Sequence, residues 1–241
     1  MLLDDFKLHS VTLQMTYAER YELWDCAGAI SRELSNIWPG LSLEESRPNN
    51  QLLQTDQVKL ETALTSATAT FFGGKGFDSA SVDQLVRTFA VWRDELGLDK
   101  VTRLSCRSRY IKDFPTRRAA NERMLSWGLC RIPTGRVFDQ PQDGDGNSVE
   151  VNIRFEDASS FAVVRAGAEH VVMELKGHPD LTSLEGTPNR QVTNRVFVDF
   201  DRGVLGMVDL REIRIGEWLK GYQHLLRRDI DKVIGAGGRA A

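Results

Sequence analysis

The chain has 241 residues, of which 41% are hydrophobic and 27% are charged, and this composition excludes collagen-like, disordered and low-complexity proteins. The 31 Lys and Arg residues against 34 Asp and Glu residues give a formal net charge of -3, which argues against a non-specific DNA coat or a polybasic membrane binder. The length suits one large domain or two small domains that share an interface.

The first part of the chain predicts a strand, a helix and a second extended region. Apolar and polar residues alternate over residues 11–15, which is typical of a half-buried strand. Apolar residues then recur at helical spacing over residues 23–37, and Thr16-Tyr-Ala-Glu19 has the spacing of a capping box for this helix. Residues 40–50 are predicted to form a loop, and residues 58–72 to form one long strand or a hairpin.

Two further helices are predicted around a third extended segment. Gly73-Gly-Lys-Gly76 indicates a turn, Ser81-Val-Asp-Gln84 opens the second helix, and Gly97 suits the position just after its end. Residues 101–111 alternate again and predict a strand. A short third helix is predicted over residues 116–127.

The strongest loop signal in the chain covers residues 131–148, which include Asp143-Gly-Asp-Gly-Asn147. We place the boundary between two halves here. Residues 1–130 are predicted to form a helix-strand half, and residues 149–241 a β-rich half with a C-terminal helix. The alternative is that both halves belong to one continuous domain.

The second half predicts mostly strands. Residues 149–155 and 161–176 have strand patterns, and residues 195–208 predict a hairpin that turns at Asp201-Arg-Gly203. A long amphipathic helix follows. Because no βαβ unit repeats, the predicted fold class is α+β, with antiparallel sheets covered by amphipathic helices and a long C-terminal helix.

Several features place the protein in the cytoplasm, without a membrane partner. The acidic start of the chain lacks the basic n-region of a signal peptide, and no apolar stretch approaches the roughly 18 residues of a membrane span. Cys26, Cys106 and Cys130 form no C-x-x-C pair, so reduced thiols are expected.

Asp157, Glu174 and Lys176 form the sharpest candidate catalytic set. Metal-dependent nucleases place a Glu and a Lys two residues apart on one strand face, so that one binds Mg²⁺ or Mn²⁺ and the other orients water. Asp157 lies across a plausible hairpin and would be the second metal ligand. The simpler interpretation is that Glu174 and Lys176 are solvated charges on the outer face of an amphipathic strand.

Two sets of like charges, one of three arginines and one of two aspartates, lie along strand faces. Arg103, Arg107 and Arg109 alternate on one face and are predicted to bind a phosphate-bearing or acidic partner through their guanidinium groups. The alternative is a solvated face paired with local acids. Asp199 and Asp201 share a strand face that could hold a divalent metal, or they are solvated residues next to a turn.

Two other strings lack residues that their functions require. Asp143-Gly-Asp-Gly-Asn147 begins like a calcium loop, but the sixth position is Ser148 and the twelfth is Arg154. Gly73-Gly-Lys-Gly76 lacks the spacing of a phosphate-binding loop. We therefore expect no resident metal and no cofactor, apart from Mg²⁺ or Mn²⁺ if the nuclease alternative holds.

Three short strings carry a family resemblance: Ile37-Trp-Pro39, Arg107-Ser-Arg-Tyr-Ile111, and Val198-Asp-Phe-Asp201 followed by a long helix with Leu219, Tyr222 and His224. Together they resemble a sporadically distributed family of uncharacterised bacterial proteins of similar length. The resemblance spans nearly the whole chain. It implies a bacterial protein and brings no assigned activity and no catalytic residues.

Two functions from different classes follow from these patterns. The expected one is a non-enzymatic binding or accessory protein that contacts a protein partner or a second copy of itself, because no complete catalytic constellation is found. The alternative is a metal-dependent phosphodiesterase or nuclease that uses Asp157, Glu174 and Lys176, with the three arginines holding nucleic acid.

Overall fold

The computed structural model describes residues 2–74, 78–130, 136–137, 140–141, 149–174 and 190–234. Within these ranges a short 3-10 helix (Leu2–Asp5) comes first, followed by eleven strands and four α-helices. The first seven are β1 (Lys7–Thr16), α1 (Leu23–Ile37), β2 (Ser42–Arg47), β3 (Asn50–Gln54), β4 (Val58–Ala63), β5 (Ser66–Phe72) and α2 (Ser79–Glu95). The remainder are β6 (Lys100–Phe114), α3 (Arg117–Leu125), β7 (Arg136–Val137), β8 (Gln140–Pro141), β9 (Glu150–Glu156), β10 (Ser160–Glu174), β11 (Arg190–Asp209) and α4 (Ile215–Ile234).

Nine strands form a single antiparallel sheet in the order β2-β3-β4-β5-β1-β6-β11-β10-β9, and β7 and β8 pair with each other. At its centre Leu13 of β1 lies between Ala69 of β5 and Cys106 of β6. The sheet crosses the predicted boundary at residues 131–148, because β6 pairs with β11. The division into two domains stays a prediction.

The order of the elements repeats about the centre of the sheet. β1 is followed by α1, then by further strands and a closing helix α2, and β6 is followed in the same way by α3, further strands and α4. β1 and β6 are antiparallel neighbours, and each has the last strand of its own set, β5 or β11, on its other side. The two sets are therefore arranged with approximate two-fold symmetry, a repeat that the sequence analysis missed.

The predicted helices are present, but three details of the prediction are wrong. The predicted loop at residues 40–50 contains β2, whose mostly exposed side chains give no apolar alternation. The predicted hairpin at residues 195–208 is one strand, because Asp201-Arg-Gly203 pairs with β6 on one side and β10 on the other instead of turning. The irregularity in this strand is a β-bulge next to Gly206, which has φ +91°. The capping box does not form, since Thr16 ends β1 and α1 begins after Glu22.

The core is one cluster of buried apolar side chains drawn from the strands and from all four helices. Tyr222 of α4 joins this cluster to the sheet, because its hydroxyl donates to the Phe200 carbonyl oxygen at 2.7 Å. Because the Tyr222 hydroxyl has only this one proton, it acts as the acceptor in its other hydrogen bond, and Ser108 Oγ donates to the Tyr222 hydroxyl oxygen at 2.7 Å. None of the described helices has the length and apolar composition needed to cross a membrane.

Candidate functional site

Nine charged side chains share the side of β6, β11 and β10 that faces away from the core cluster, and we call this surface the charged face. Side chains alternate between the two faces of a strand, and the register places Asp199 of β11 directly between Arg109 of β6 and Arg165 of β10. The members are Arg103, Arg107, Arg109, Asp113, Arg165, Glu169, Arg195, Asp199 and Asp201.

Two phenylalanine rings form the floor of the charged face. Phe197 of β11 lies across Gly167 of β10, and Phe161 of β10 lies across Gly203 of β11. A Cβ at Gly167 would lie 2.7 Å from the Phe197 ring, and a Cβ at Gly203 would lie 2.5 Å from the Phe161 ring. Only glycine lets the rings pack this closely against the neighbouring strand.

Two arginines stack on these rings. The guanidinium carbon of Arg109 is 4.7 Å from the centroid of Phe197, and that of Arg103 is 4.5 Å from the centroid of Phe161. Such cation–π contacts hold the guanidinium plane while leaving its N–H edges free to donate. The arginines are therefore fixed in place before any ligand arrives.

Each arginine of β6 also reaches a carboxylate on a neighbouring strand. Arg107 donates to Asp199 Oδ2, and Arg109 Nη1 lies 3.8 Å from the same oxygen. Arg103 Nη2 lies 3.4 Å from Asp201 Oδ2. Burial raises the pKa of Asp201, although Arg103 and Arg107 act in the opposite direction. The predicted arginine stripe is thus paired with acids on the adjacent strand.

Glu169 lies between two arginines at one end of the charged face. It accepts from Arg109 and, at 2.8 Å, from Arg195. Burial acts to raise the pKa of Glu169, but the hydrogen bonds from both arginines outweigh burial, so this pKa is lowered. His9, at the bulge of β1, is close enough that burial, Arg195 and Arg109 together lower its pKa.

Asp199 is the most deeply buried group of the charged face, since its side chain is only 3% exposed. Its Oδ2 is paired with arginine, whereas its Oδ1 is buried and has no hydrogen-bond partner among the described residues. A buried polar atom without a partner loses its hydration and gains nothing in return. This oxygen therefore marks a position where a donor from outside the chain would be stabilised.

A cavity of about 390 Å³ opens at this point of the charged face, and Asp199 is one of its lining residues. Arg165 and Glu150, which also line it, are exposed, and neither makes an ion pair within the part of the chain that the structure describes. A larger groove of about 660 Å³ lies between α2 and α4 and is lined mainly by apolar side chains. The smaller cavity is the better candidate because it is lined by groups of both charges that make no ion pair with any described residue.

Two of the three predicted nuclease residues, Asp157 and Glu174, lie far apart in the structure. The Asp157 carboxylate accepts from the N–H and hydroxyl groups of Ser159 and Ser160 at 2.7 to 3.0 Å, in the turn before β10, and these bonds lower its pKa to about 2. Asp157 lies before the start of β10 and Glu174 is its last residue. At a rise of ~3.3 Å per residue, Asp157 and Glu174 are therefore on the order of 40 Å apart. Lys176 lies outside the described residues.

Other predicted sites have mixed outcomes. Asp199 and Asp201 share a face, as expected, but they pair with arginines, and no group of three or more His, Cys, Asp or Glu residues in the described ranges is arranged to hold a metal. Asp143-Gly-Asp-Gly-Asn147 and Lys75-Gly76 lie outside those ranges. The sequence analysis also missed Arg165, whose signal is its place between the buried residues Val164 and Ala166 on a predicted strand.

Neither models of known protein families nor the sequences of curated proteins match this chain. The resemblance to a sporadically distributed bacterial family therefore stays a prediction. The assignment of a function depends on the geometry of the charged face.

Proposed function

We propose that this chain is a non-enzymatic binding or accessory protein of the bacterial cytoplasm, and that the charged face is its recognition surface. The observation that carries the proposal is that Oδ1 of the buried Asp199 carboxylate has no hydrogen-bond partner among the described residues. Such an oxygen lowers the stability of the isolated protein, and costly polar groups of this kind concentrate at functional sites. In this proposal, helices cover the opposite side of the sheet and leave the charged face to the partner.

The chemistry of the charged face favours an acidic partner. Stacked arginines and buried aromatic rings are the residue types that contribute most to binding at protein interfaces. On β6, β11 and β10 the five arginines of the face outnumber its four carboxylates, although the whole chain has a net charge of -3. This local excess of positive charge attracts acidic groups, either on another protein or on a second copy of the chain.

The cysteines support a binding role in a reducing compartment. Cys26, Cys106 and Cys130 are free thiols, as is usual in the cytoplasm. Burial raises the pKa of all three thiols, so little of each is present as the nucleophilic thiolate at neutral pH. Together with the separation of Asp157 from Glu174, this disfavours the enzymatic alternatives.

Site-specific photo-crosslinking in the native host tests the proposal. A photo-reactive residue at Asn152 of β9, which is exposed and lies directly opposite Arg165, should give a discrete adduct with one protein partner or with a second copy. The same residue at Asn36, an exposed asparagine of α1, is the matched control and should give no such adduct. Mass spectrometry of the adduct identifies the partner.

Purified components then give the affinity. Charge reversal by Arg107→Glu should weaken binding to the identified partner by at least about tenfold, because it removes a fixed donor and adds repulsion. Equal adducts at Asn152 and Asn36, no adduct at Asn152, or unchanged affinity for R107E would each overturn the proposal.

A further inference from the structure

We infer that the cavity in the charged face binds a compact zwitterion, of which a free α-amino acid is the simplest example. The inference rests on the proposed function only in that both assign recognition to the same face. It adds a small-molecule ligand class to the protein partner. Three observations lead to it: the charges that line the cavity, their spacing, and the surface between them.

The cavity has unpaired groups of both signs. Arg165 and Glu150 both line the cavity, and neither makes an ion pair among the described residues. Asp199 adds the buried oxygen without a donor. A simple anion would leave the Glu150 carboxylate and Asp199 Oδ1 without a donor, and a simple cation would leave Arg165 without a counter-ion, whereas a zwitterion satisfies both signs.

The spacing of these groups favours a compact ligand. Arg165 of β10 and Asp199 of β11 are directly opposite each other in the register, and the Cβ atoms of such residues are about 5 Å apart. An α-amino acid carries its ammonium and carboxylate groups on a single carbon, so the two groups are close enough together to contact Asp199 and Arg165 at the same time. The ammonium group would donate to Asp199 and Glu150, and the carboxylate would accept from Arg165.

The lining between the charges suits the carbon part of such a ligand. The Phe197 ring lines the cavity, and the Arg109 guanidinium group stacks on this ring. The volume of about 390 Å³ lies within the range of small-molecule sites, roughly 300 to 1,000 Å³. A small ligand with one apolar side and one zwitterionic end therefore matches the cavity.

Thermal denaturation of the full chain with each proteinogenic L-α-amino acid at millimolar concentration tests the inference. At least one amino acid should raise the midpoint, since a ligand that binds the folded state stabilises it. Isothermal titration calorimetry then gives the Kd of the best binder. Its N-acetyl derivative and its decarboxylated amine, which each lack one of the two charges, should bind at least about tenfold more weakly.

Two variants locate the site. Arg165→Gln, at an exposed position, should weaken the best binder at least about tenfold, whereas Arg87→Gln, an exposed arginine of α2, should bind as the parent does. Asp199→Asn should act like Arg165→Gln if it folds. The inference is overturned if no amino acid shifts the midpoint, if the single-charge analogues bind equally well, or if R165Q binds like the parent. Crosslinking at Asn152 reports on the protein partner separately, so the two proposals fail independently.

Discussion

At the scale of single residues, Gly203 determines how the charged face is built. The Phe161 ring occupies the space where a Cβ of Gly203 would lie, and the Leu104 carbonyl oxygen would be only 2.6 Å from that Cβ. The ring can move in response to a methyl group, but a strand backbone inside the sheet cannot move so readily. The cation–π contact between Arg103 and Phe161 therefore depends on Gly203, an uncharged residue two positions along β11 from Asp201.

Gly203→Ala should lower the free energy of unfolding by about 1–3 kcal/mol, because the added methyl group overpacks against Phe161 and the β6 backbone. Gly28→Ala is the matched control in α1, where a Cβ would meet no atom within 4 Å. It should raise stability by roughly 0.5–1 kcal/mol, as alanine favours a helix over glycine. Urea denaturation measures both. A loss below about 0.5 kcal/mol for G203A would contradict the close packing of the ring.

At the scale of elements, strong local periodicity was enough to predict α4, whose buried residues Leu219, Tyr222 and Leu226 recur at helical spacing. Elements without such periodicity could not be predicted. β2 exposes nearly all its side chains and is held by backbone pairing to β3, so its sequence resembles a loop. The ion pairs of the charged face were harder still to predict from the sequence. Arg103 and Asp201, for example, are 98 residues apart in the chain, and only the register of β6 against β11 brings them together.

Leu219→Ala tests the packing of α4. The side chain is 1% exposed, so its truncation should cost about 2–5 kcal/mol of unfolding free energy through lost burial and the cavity left behind. Lys220→Ala, at the exposed neighbouring position, should change stability by less than about 0.5 kcal/mol. Both are measured by denaturant unfolding. A loss under about 1 kcal/mol for L219A would mean that α4 does not pack against the core.

At the scale of the whole molecule, the continuous sheet and the single core cluster link the two sets of elements. β1 pairs with β6 over most of its length, and β6 pairs with β11 from Asn194 to Asp209. Separating the two sets would break the β1–β6 ladder and expose buried residues such as Leu13 and Cys106. We therefore expect both sets to unfold in one cooperative transition.

Selective removal of tryptophans tests this cooperativity. The double variant Trp127→Phe and Trp218→Phe leaves Trp24, Trp38 and Trp92, so its fluorescence reports only on the set that ends with α2. Circular dichroism of the same variant reports on helices and strands of the whole chain. The two midpoints in urea should coincide, and a fluorescence transition separated from the circular dichroism transition would show that the sets unfold independently.

The central position of β1 also has a consequence during synthesis on the ribosome. Residues 7–72 leave the ribosome before β6 does, so β1 pairs with β5 while its other edge has unpaired backbone N–H and C=O groups. Open strand edges readily pair with other chains. The approximate two-fold arrangement makes β1 of a second nascent chain a suitable antiparallel substitute for β6. Neighbouring ribosomes on one messenger would bring such chains together, so we expect mispairing of β1 between chains to be most frequent in the interval before β6 emerges.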